Sequence, residues 1–449
     1  MTDVLILGGG LAGLAAAAAL GESGFDVTVL ETKPFAGGRA TSYPAPATED
    51  EEAATIDNCQ HILLRCCVNL LAFYGRLGVA DRITFHRDFF FLEPGGRTSV
   101  LKAGLLPAPL HFTGAFAALH FLSLADKLAI ARALLALRSE RRTRQDLDAI
   151  TMLDWLREKR QTPAAIRRFW QPVLVSAINE DLDRMSALHG FQVFWLGFLA
   201  ASDSYEMGLP NIPLGELYGT AAWQRMPNVR LLFRTPVTRV RIADGIADGS
   251  VEGVEAGGAL MTARHYISAL PFERVAALES LAPALGVDFT QFEHVPITGI
   301  HLWFDRLVTE LPYGALLDRT LQWFFNKDGG RYLQLVVSAS RALTPMSRGA
   351  IIELALRELA EFLPAVREAK LVRAHVVKEV RATFSARPGV EQFRPDATTP
   401  IANLTLAGDW TRSGWPSTME GAVRSGHIAA ERAANALGRP GKFLLPDIA

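Results

Sequence analysis

The 449-residue chain is poor in cysteine and carries almost no net charge, and each shortage excludes a class of function. Only Cys59, Cys66 and Cys67 are present, an odd and tightly clustered set that suits neither a disulfide framework nor a zinc site. No metal site is expected, and a reducing compartment is implied. Lys plus Arg (46) balance Asp plus Glu (47), so no global basic field exists to gather nucleic acid, and no such partner is expected. Also missing are an internal repeat, a long Pro/Gly/Ser-rich run and a second glycine-rich nucleotide fingerprint. The start, MTDVLILGGG, lacks a basic stretch ahead of a cleavable apolar segment and reads as a strand entering a glycine turn, so the expected location is cytoplasmic.

What is present is an ordinary folding composition, 49% hydrophobic and 21% charged, in a chain long enough for two intergrown domains. Val4 to Leu7 is an apolar run followed by Gly8, Gly10, Leu11, Ala12 and Gly13, then an alanine-rich helix from Leu14 to Gly21. A second strand, Asp26 to Leu30, ends at Glu31 and Thr32, about 20 residues beyond the turn, the usual size of a dinucleotide-binding βαβ unit. In that unit Gly8 permits the tight turn, Gly10 admits a pyrophosphate and Gly13 lets the helix sit close to the sheet, its N-terminal amides facing the anion. Glu31 would accept hydrogen bonds from ribose hydroxyls, which disfavours a 2′-phosphate.

The expected fold is α/β plus α+β. A Rossmann-like nucleotide domain is built from residues 1–80, 220–290 and 400–449, and an intergrown substrate domain of helices and a mixed sheet from 81–219 and 291–399. Helical spacing runs from Leu63 to Leu77, and Phe85 to Leu92 reads as one strand before the Pro94-Gly95-Gly96 turn. Leu101 to Ala187 reads as mostly helical. Val229 to Phe233, Val237 to Ile242 and His265 to Ala269 read as nucleotide-domain strands resumed after the insertion. From Ala103 to Ala125 there is no Asp, Glu, Lys or Arg, but Pro107, Pro109, Gly114, His111 and His120 argue against a bilayer span. This segment is expected either as a buried helix or as a surface helix dipping into one leaflet. In the second case Arg138, Arg141, Arg142 and Arg144 would lie at headgroup level, making the protein peripheral at the inner face of the cytoplasmic membrane.

The Gly37-Gly38-Arg39 turn, the Thr235-Pro236-Val237 strand and the Ala407-Gly408-Asp409 ending resemble those of the FAD-dependent amine oxidase and phytoene desaturase superfamily. That resemblance implies noncovalent FAD, with Gly38 and Arg39 at the diphosphate, Val237 at the adenine, and Gly408 and Asp409 at the ribityl chain. Thr418, Met419 and Ala422 of the last helix would face the flavin pyrimidine. Runs spread over nearly the whole chain are more specific. IDNCQHILLRCC (Ile56 to Cys67), PAPLHF (Pro107 to Phe112), FWQPVLVSAINEDLDRMSA (Phe169 to Ala187), PITGIHLWFDR (Pro296 to Arg306), LQWFFNK (Leu321 to Lys327) and LAGDWTRSGWPSTMEGAVRSG (Leu406 to Gly426) resemble the hydroxysqualene dehydroxylases, the squalene-associated FAD-dependent desaturases of hopanoid pathways. Cys59 departs from the glycine common in the wider superfamily, and reads as a small buried residue.

The resemblance implies reduction of hydroxysqualene to squalene. The hydroxyl leaves as water, hydride comes from reduced flavin, and an electron donor outside the chain restores it. Trp303, Phe304, Trp323, Phe324 and Phe325 are candidate pocket walls, with Trp303, Trp323 and Phe325 singled out for substrate contact. Asp57 and His61 are the candidate catalytic acids, because both residue types can donate a proton when their surroundings tune them. Glu206 and Lys327 are weaker candidates. The plain alternative has Asp57 capping a helix that begins near His61, and Glu420 complementing the start of the last helix. Competing functions are a polyprenyl or carotenoid-type desaturase using oxidised FAD, a flavin amine oxidase with Trp410 and Trp415 as an aromatic cage, and a non-catalytic lipid carrier.

Overall fold

In the computed structural model, which describes residues 2–45, 55–243 and 249–448, Val4–Leu7 is a fully buried strand at the middle of a five-stranded parallel sheet. The order across that sheet is Val229–Leu232, Val27–Leu30, Val4–Leu7, His265–Ser268 and Leu404–Leu406. Its central strands are apolar without alternation because both faces are covered, as parallel sheets require. The alanine-rich helix Leu11–Glu22 and the last helix, Met419–Ala436, pack against each other, and the chain has glycine where they meet. A Cβ at Gly426 would overlap the Ala12 carbonyl, so that contact tolerates no side chain. Val237 departs from the sequence reading. It opens a separate three-stranded antiparallel sheet, Val237–Ile242, Val251–Ala256 and Ala259–Met261, because Thr235 donates to the Glu31 carbonyl and the chain then turns off the parallel layer at Pro236.

The second domain is carried by a seven-stranded mixed sheet. Its order is Leu371–Phe384, His294–Phe304, Tyr332–Val337, Trp323–Asp328, Tyr313–Leu316, Phe89–Leu92 and Thr98–Leu101. Period-two alternation splits its residues between two faces. Ile300, Leu302, Phe304, Phe324, Leu333 and Leu335 form one core with the helix Arg348–Phe362. Phe304 and Phe324 therefore pack beneath that helix and are not pocket walls. The opposite face carries His301, Trp303, Trp323, Phe325 and Gln334, paired in register across the strands.

Several boundaries differ from expectation for identifiable reasons. The single strand expected over Phe85 to Leu92 is two: Ile83–His86 joins a small sheet with Met207–Pro210, and Phe89–Leu92 joins the large one. Arg87 leaves the strand path to pair with Glu206, and the Asp88 carbonyl accepts from the Tyr313 hydroxyl. The helix expected from Leu63 starts at Val68, because Leu63–Leu64 pairs with Met207 and Gly208. The uncharged stretch from 103 to 125 is not one buried helix. It is an irregular loop, a short helix at Thr113–Ala118 with no buried residue, and the start of the helix Leu124–Glu140. Among the described residues no helix is long and apolar enough to cross a membrane. Of the basic run that follows, Arg144 is taken up by Asp146 and Glu158, and Arg141 lies 3.5 Å over the Trp195 ring, so only Arg138 and Arg142 face outward.

Candidate functional site

Two glycine turns meet at the C-terminal edge of the parallel sheet. Gly8 has φ +110° and makes the turn, while a Cβ at Gly13 would overlap the Gly8 carbonyl, so the first helix can start there only with glycine. The Gly37 amide donates to the Gly9 carbonyl at 2.8 Å, and a Cβ on Gly38 would come within 3.0 Å of the Gly10 Cα. Gly10 is the N-cap of the first helix with no side-chain cap, the first turn has no acidic residue, and a Cβ there would have only Gly38 as a neighbour, at 4.0 Å. The result is a cleft lined by backbone amides at a helix N-terminus, the arrangement that receives phosphate. Glu31 closes one end, its carboxylate accepting from the Gly9 amide at 2.9 Å and the Lys33 amide at 2.8 Å. Thr32 beside it is exposed. The Arg39 guanidinium pairs with buried Asp409, which also accepts from Ser417; burial works against the Arg39 charge, but Asp409 more than offsets it and raises the guanidinium above its ordinary value.

The run Asp57 to His61 joins this cleft to the large sheet. Asn58 donates to the Arg39 carbonyl at 2.8 Å and its own amide donates to the Thr41 carbonyl. On the other side Gln334 donates to the Asp57 carbonyl at 3.3 Å, and a Cβ at Gly299 would sit 2.9 Å from the Asn58 carbonyl oxygen. Asp57 Oδ1 accepts from Ser42 Oγ (2.6 Å) and from the amide of Leu214 (3.0 Å), the first residue of the short helix Leu214–Leu217. Asp57 thus caps a helix, but not one near His61, where the chain is not helical. Its Oδ2 lies 3.8 Å from Lys327 Nζ. Lys327 is the unpaired residue of a bulge between Asn326 and Asp328, and burial pulls its ammonium below the ordinary lysine range while Asp57 opposes that. His61 Nδ1 is 2.9 Å from the Cys59 carbonyl, and burial lowers its imidazole. Burial likewise pushes the Cys59 thiol up to about 12, so it stays protonated and inert.

A family model for flavin-containing amine oxidoreductases matches residues 11–434, a span that includes the Gly37–Gly38 turn and the Asp409 ending. The chain belongs to that family. Among its relatives are a probable zeta-carotene desaturase from Synechococcus elongatus, 27% identical over 95% of this chain and 98% of the relative, and a 15-cis-phytoene desaturase from the same organism, 26% identical over 95% of each. Solved structures of putrescine oxidase bound to putrescine (TM-score 0.71, 16% identity, 98% of this chain and 99% of that one) and of cyclohexylamine oxidase from Brevibacterium oxydans (0.66, 19%, 98% and 100%) share the fold. The named relatives are carotenoid desaturases, not hydroxysqualene dehydroxylases.

FAD is the cofactor of this flavin-dependent oxidoreductase, and the residues present fit it. The open glycine cleft suits a diphosphate, Glu31 a ribose, and the Arg39 and Asp409 pair the stretch between diphosphate and ribityl chain. In the last helix Thr418 is the N-cap, its Oγ1 accepting from the Gly421 amide at 3.0 Å, and Met419 and Ala422 are half-buried in its first turn. The side chains of Leu11 and Ala12 are buried in the sheet-to-helix core, and their amides are the first of the helix that opens on the glycine cleft. Arg394 is an organiser that no spacing in the sequence revealed. It is fully buried, and Nη2 donates to the carbonyls of Asp409 (3.0 Å), Thr411 (2.5 Å) and Trp415 (2.8 Å), holding the whole C-terminal loop in place.

The remaining sequence candidates separate clearly. Trp323 and Phe325 lie with ring centroids 6.0 Å apart on the same sheet face as Lys327, and Trp303 stacks on Tyr332 at 4.4 Å farther along that face. Phe89 meets Trp323 at 6.3 Å, Tyr205 meets Phe89 at 6.0 Å, and Phe112 meets Tyr205 at 4.7 Å, an aromatic path of packed rings from the surface loop to the strand that carries Lys327. Glu206 accepts from Arg65 (2.8 Å) and Arg87 (2.8 Å), so it is a structural anion and not a proton donor. Glu420 turns away from its own helix and accepts from the amides of Asn69 (3.2 Å) and Leu70 (2.7 Å), capping the helix Val68–Leu77 instead. Trp410 packs with Phe289 and Phe292, while Trp415 packs with Cys66 and Leu196, so the two do not face each other as a cage.

Proposed function

We propose that this FAD-dependent oxidoreductase moves a hydride between flavin and a long isoprenoid hydrocarbon. The observation that carries this reading is the aromatic path from Phe112 through Tyr205, Phe89 and Trp323 to Phe325, ending beside Lys327 and Asp57. A hydrocarbon chain is desolvated by such apolar rings, and an aromatic face favours a developing allylic cation. The carotenoid desaturases among the relatives support an apolar polyene-type substrate and the direction of desaturation.

The opposite direction, reduction of hydroxysqualene to squalene, is favoured by this chain's own DNCQH and LQWFFNK runs and by the residues they bring together. FAD, when bound, supplies or accepts the hydride pair. In the reductive direction Lys327 would give its proton to the departing hydroxyl, so that the substrate C–O bond breaks and water leaves, and reduced FAD, held by the glycine cleft, Arg39 and Asp409, would supply the hydride for the new C–H bond and end oxidised. Asp57 serves as the fixed anion that keeps Lys327 charged, and Gln334 and Asn58 position the loop between them. In the desaturating direction the same lysine, neutral, accepts the proton. Anaerobic incubation of chemically reduced enzyme with hydroxysqualene, beside oxidised enzyme with phytoene and zeta-carotene, separates the readings by product. Squalene formed with stoichiometric flavin oxidation supports reduction, a new double bond with flavin reduction supports desaturation, and turnover of a primary amine alone sinks both.

A further inference from the structure

The helix Leu124–Glu140 carries two apolar stripes, and only one of them faces the protein. Asp126, Ile130, Ala133 and Leu137 point inward and are buried. Leu124, Leu128, Ala131 and Leu135 recur at i, i+4, i+7 and i+11 on the opposite side, at about 100° per residue. The three leucines are 74%, 49% and 67% exposed. Lys127 and Arg138 flank this outer stripe on one side and Arg132 on the other. The helix has two acids. Asp126 is on the inner stripe, and Glu140 is turned to Lys159 and the Trp155 indole.

The preceding loop is also rich in exposed leucines, with Leu105, Leu106 and Leu110 at 106%, 51% and 57% exposed. The Thr113–Ala118 helix, itself unburied, connects loop and helix, and Lys127 Nζ donates to the Ala117 carbonyl at 2.6 Å. Six leucines exposed to this degree in neighbouring segments of the chain mark a site of contact. Its occupant has to accept leucines at the centre and cations at the rim. A second copy would bring basic rim against basic rim; a bilayer with anionic headgroups meets both demands, with leucines at the acyl boundary and Lys and Arg at the phosphates.

We propose that Leu105, Leu106, Leu110, Leu124, Leu128 and Leu135 seat this protein on an anionic bilayer surface, with Lys127, Arg132 and Arg138 at headgroup level. The seat lies over Phe112 and buried His111, whose rings are 4.2 Å apart at the outer end of the aromatic path. That last connection rests on the isoprenoid reading, whereas membrane binding itself does not. The test is co-sedimentation of the FAD-loaded protein with phosphatidylcholine vesicles, with and without phosphatidylglycerol. Wild type is expected to sediment with anionic vesicles, more weakly with neutral ones, and high salt should remove only the difference. The exposed triple variant L124S/L128S/L135S should keep its flavin and partition roughly tenfold or more weakly to both vesicle types. R132Q/R138Q should lose only the anionic preference. Wild type remaining in the supernatant with both vesicle types, or a leucine variant that binds like wild type, overturns the proposal. So does a dimer seen by light scattering that the leucine substitutions abolish, in a protein that ignores vesicles.

Discussion

Asp57→Asn is an unusually clean substitution, because the two carboxylate oxygens have separate tasks. Oδ1 accepts from Ser42 and the Leu214 amide, and the asparagine oxygen can keep both bonds; only Oδ2, 3.8 Å from Lys327 Nζ, changes from anion to amide. At that separation two unit charges interact by about 4 kcal/mol at an effective dielectric near 20. Lys327 keeps some solvent contact, which screens part of this. The sign follows from the surroundings. Burial already lowers the Lys327 ammonium and Asp57 raises it, so losing the anion lowers it further and the charged form disappears at a lower pH. In single-turnover oxidation of reduced flavin by hydroxysqualene, the alkaline limb of the rate profile should move to lower pH in Asp57→Asn. At a pH below the limb the rate should change little, since the lysine is still charged. An unshifted limb would refute the pairing as the source of proton control, and a uniform loss of rate at every pH would point to disturbed loop geometry.

Gly10 has an ordinary φ of -78°, so Gly10→Val should fold, yet its side chain would fill the cleft beside Gly38; the protein is expected to purify without FAD, as read by absorbance. Arg394→Leu removes the donor to three loop carbonyls and leaves Glu391 without its guanidinium partner, and should destabilise by about 3–5 kcal/mol in urea unfolding with loss of flavin affinity. Burial alone would raise the Glu391 carboxyl, but His189, 3.2 Å away, and Arg394 hold it at about 2. Its stabilisation, at most about 3 kcal/mol, is therefore full above the ordinary glutamate range and lost as pH falls from there toward 2. Glu391→Gln should flatten that part of the urea-midpoint profile, and an unchanged acid slope would reject the assignment.

The nucleotide half was legible because local rules act there one at a time. Gly8, Gly13 and Glu31 declare themselves by spacing, and each meets a steric or hydrogen-bond requirement within its own βαβ unit. The catalytic side was legible only as a neighbourhood. LQWFFNK and DNCQH could be paired as motifs, but the bulge that leaves Lys327 unpaired beside Asp57 depends on strand register, which no local pattern encodes. Glu420 was misread for the same reason. A glutamate in the first turn of a helix satisfies the local rule for its own helix, and nothing nearby in sequence reveals the bare amides of Asn69 and Leu70 on another. Phe304 and Phe324 shared the composition of the wall residues and differed only in strand parity.

The order of strands in the parallel sheet also bears on how the protein is made. Leu404–Leu406 is the last strand and adds to one edge, while the Asp409 loop that follows closes against Arg39 near the other end of the chain. At translation rates of about 5–20 residues per second, the first glycine turn waits on the order of 20–80 s for the segment that completes its cradle. Flavin can therefore be captured only once the Asp409 loop has emerged, and until then the apolar faces of the early strands need shelter, which makes flavin supply at that moment a determinant of how much chain survives to be loaded.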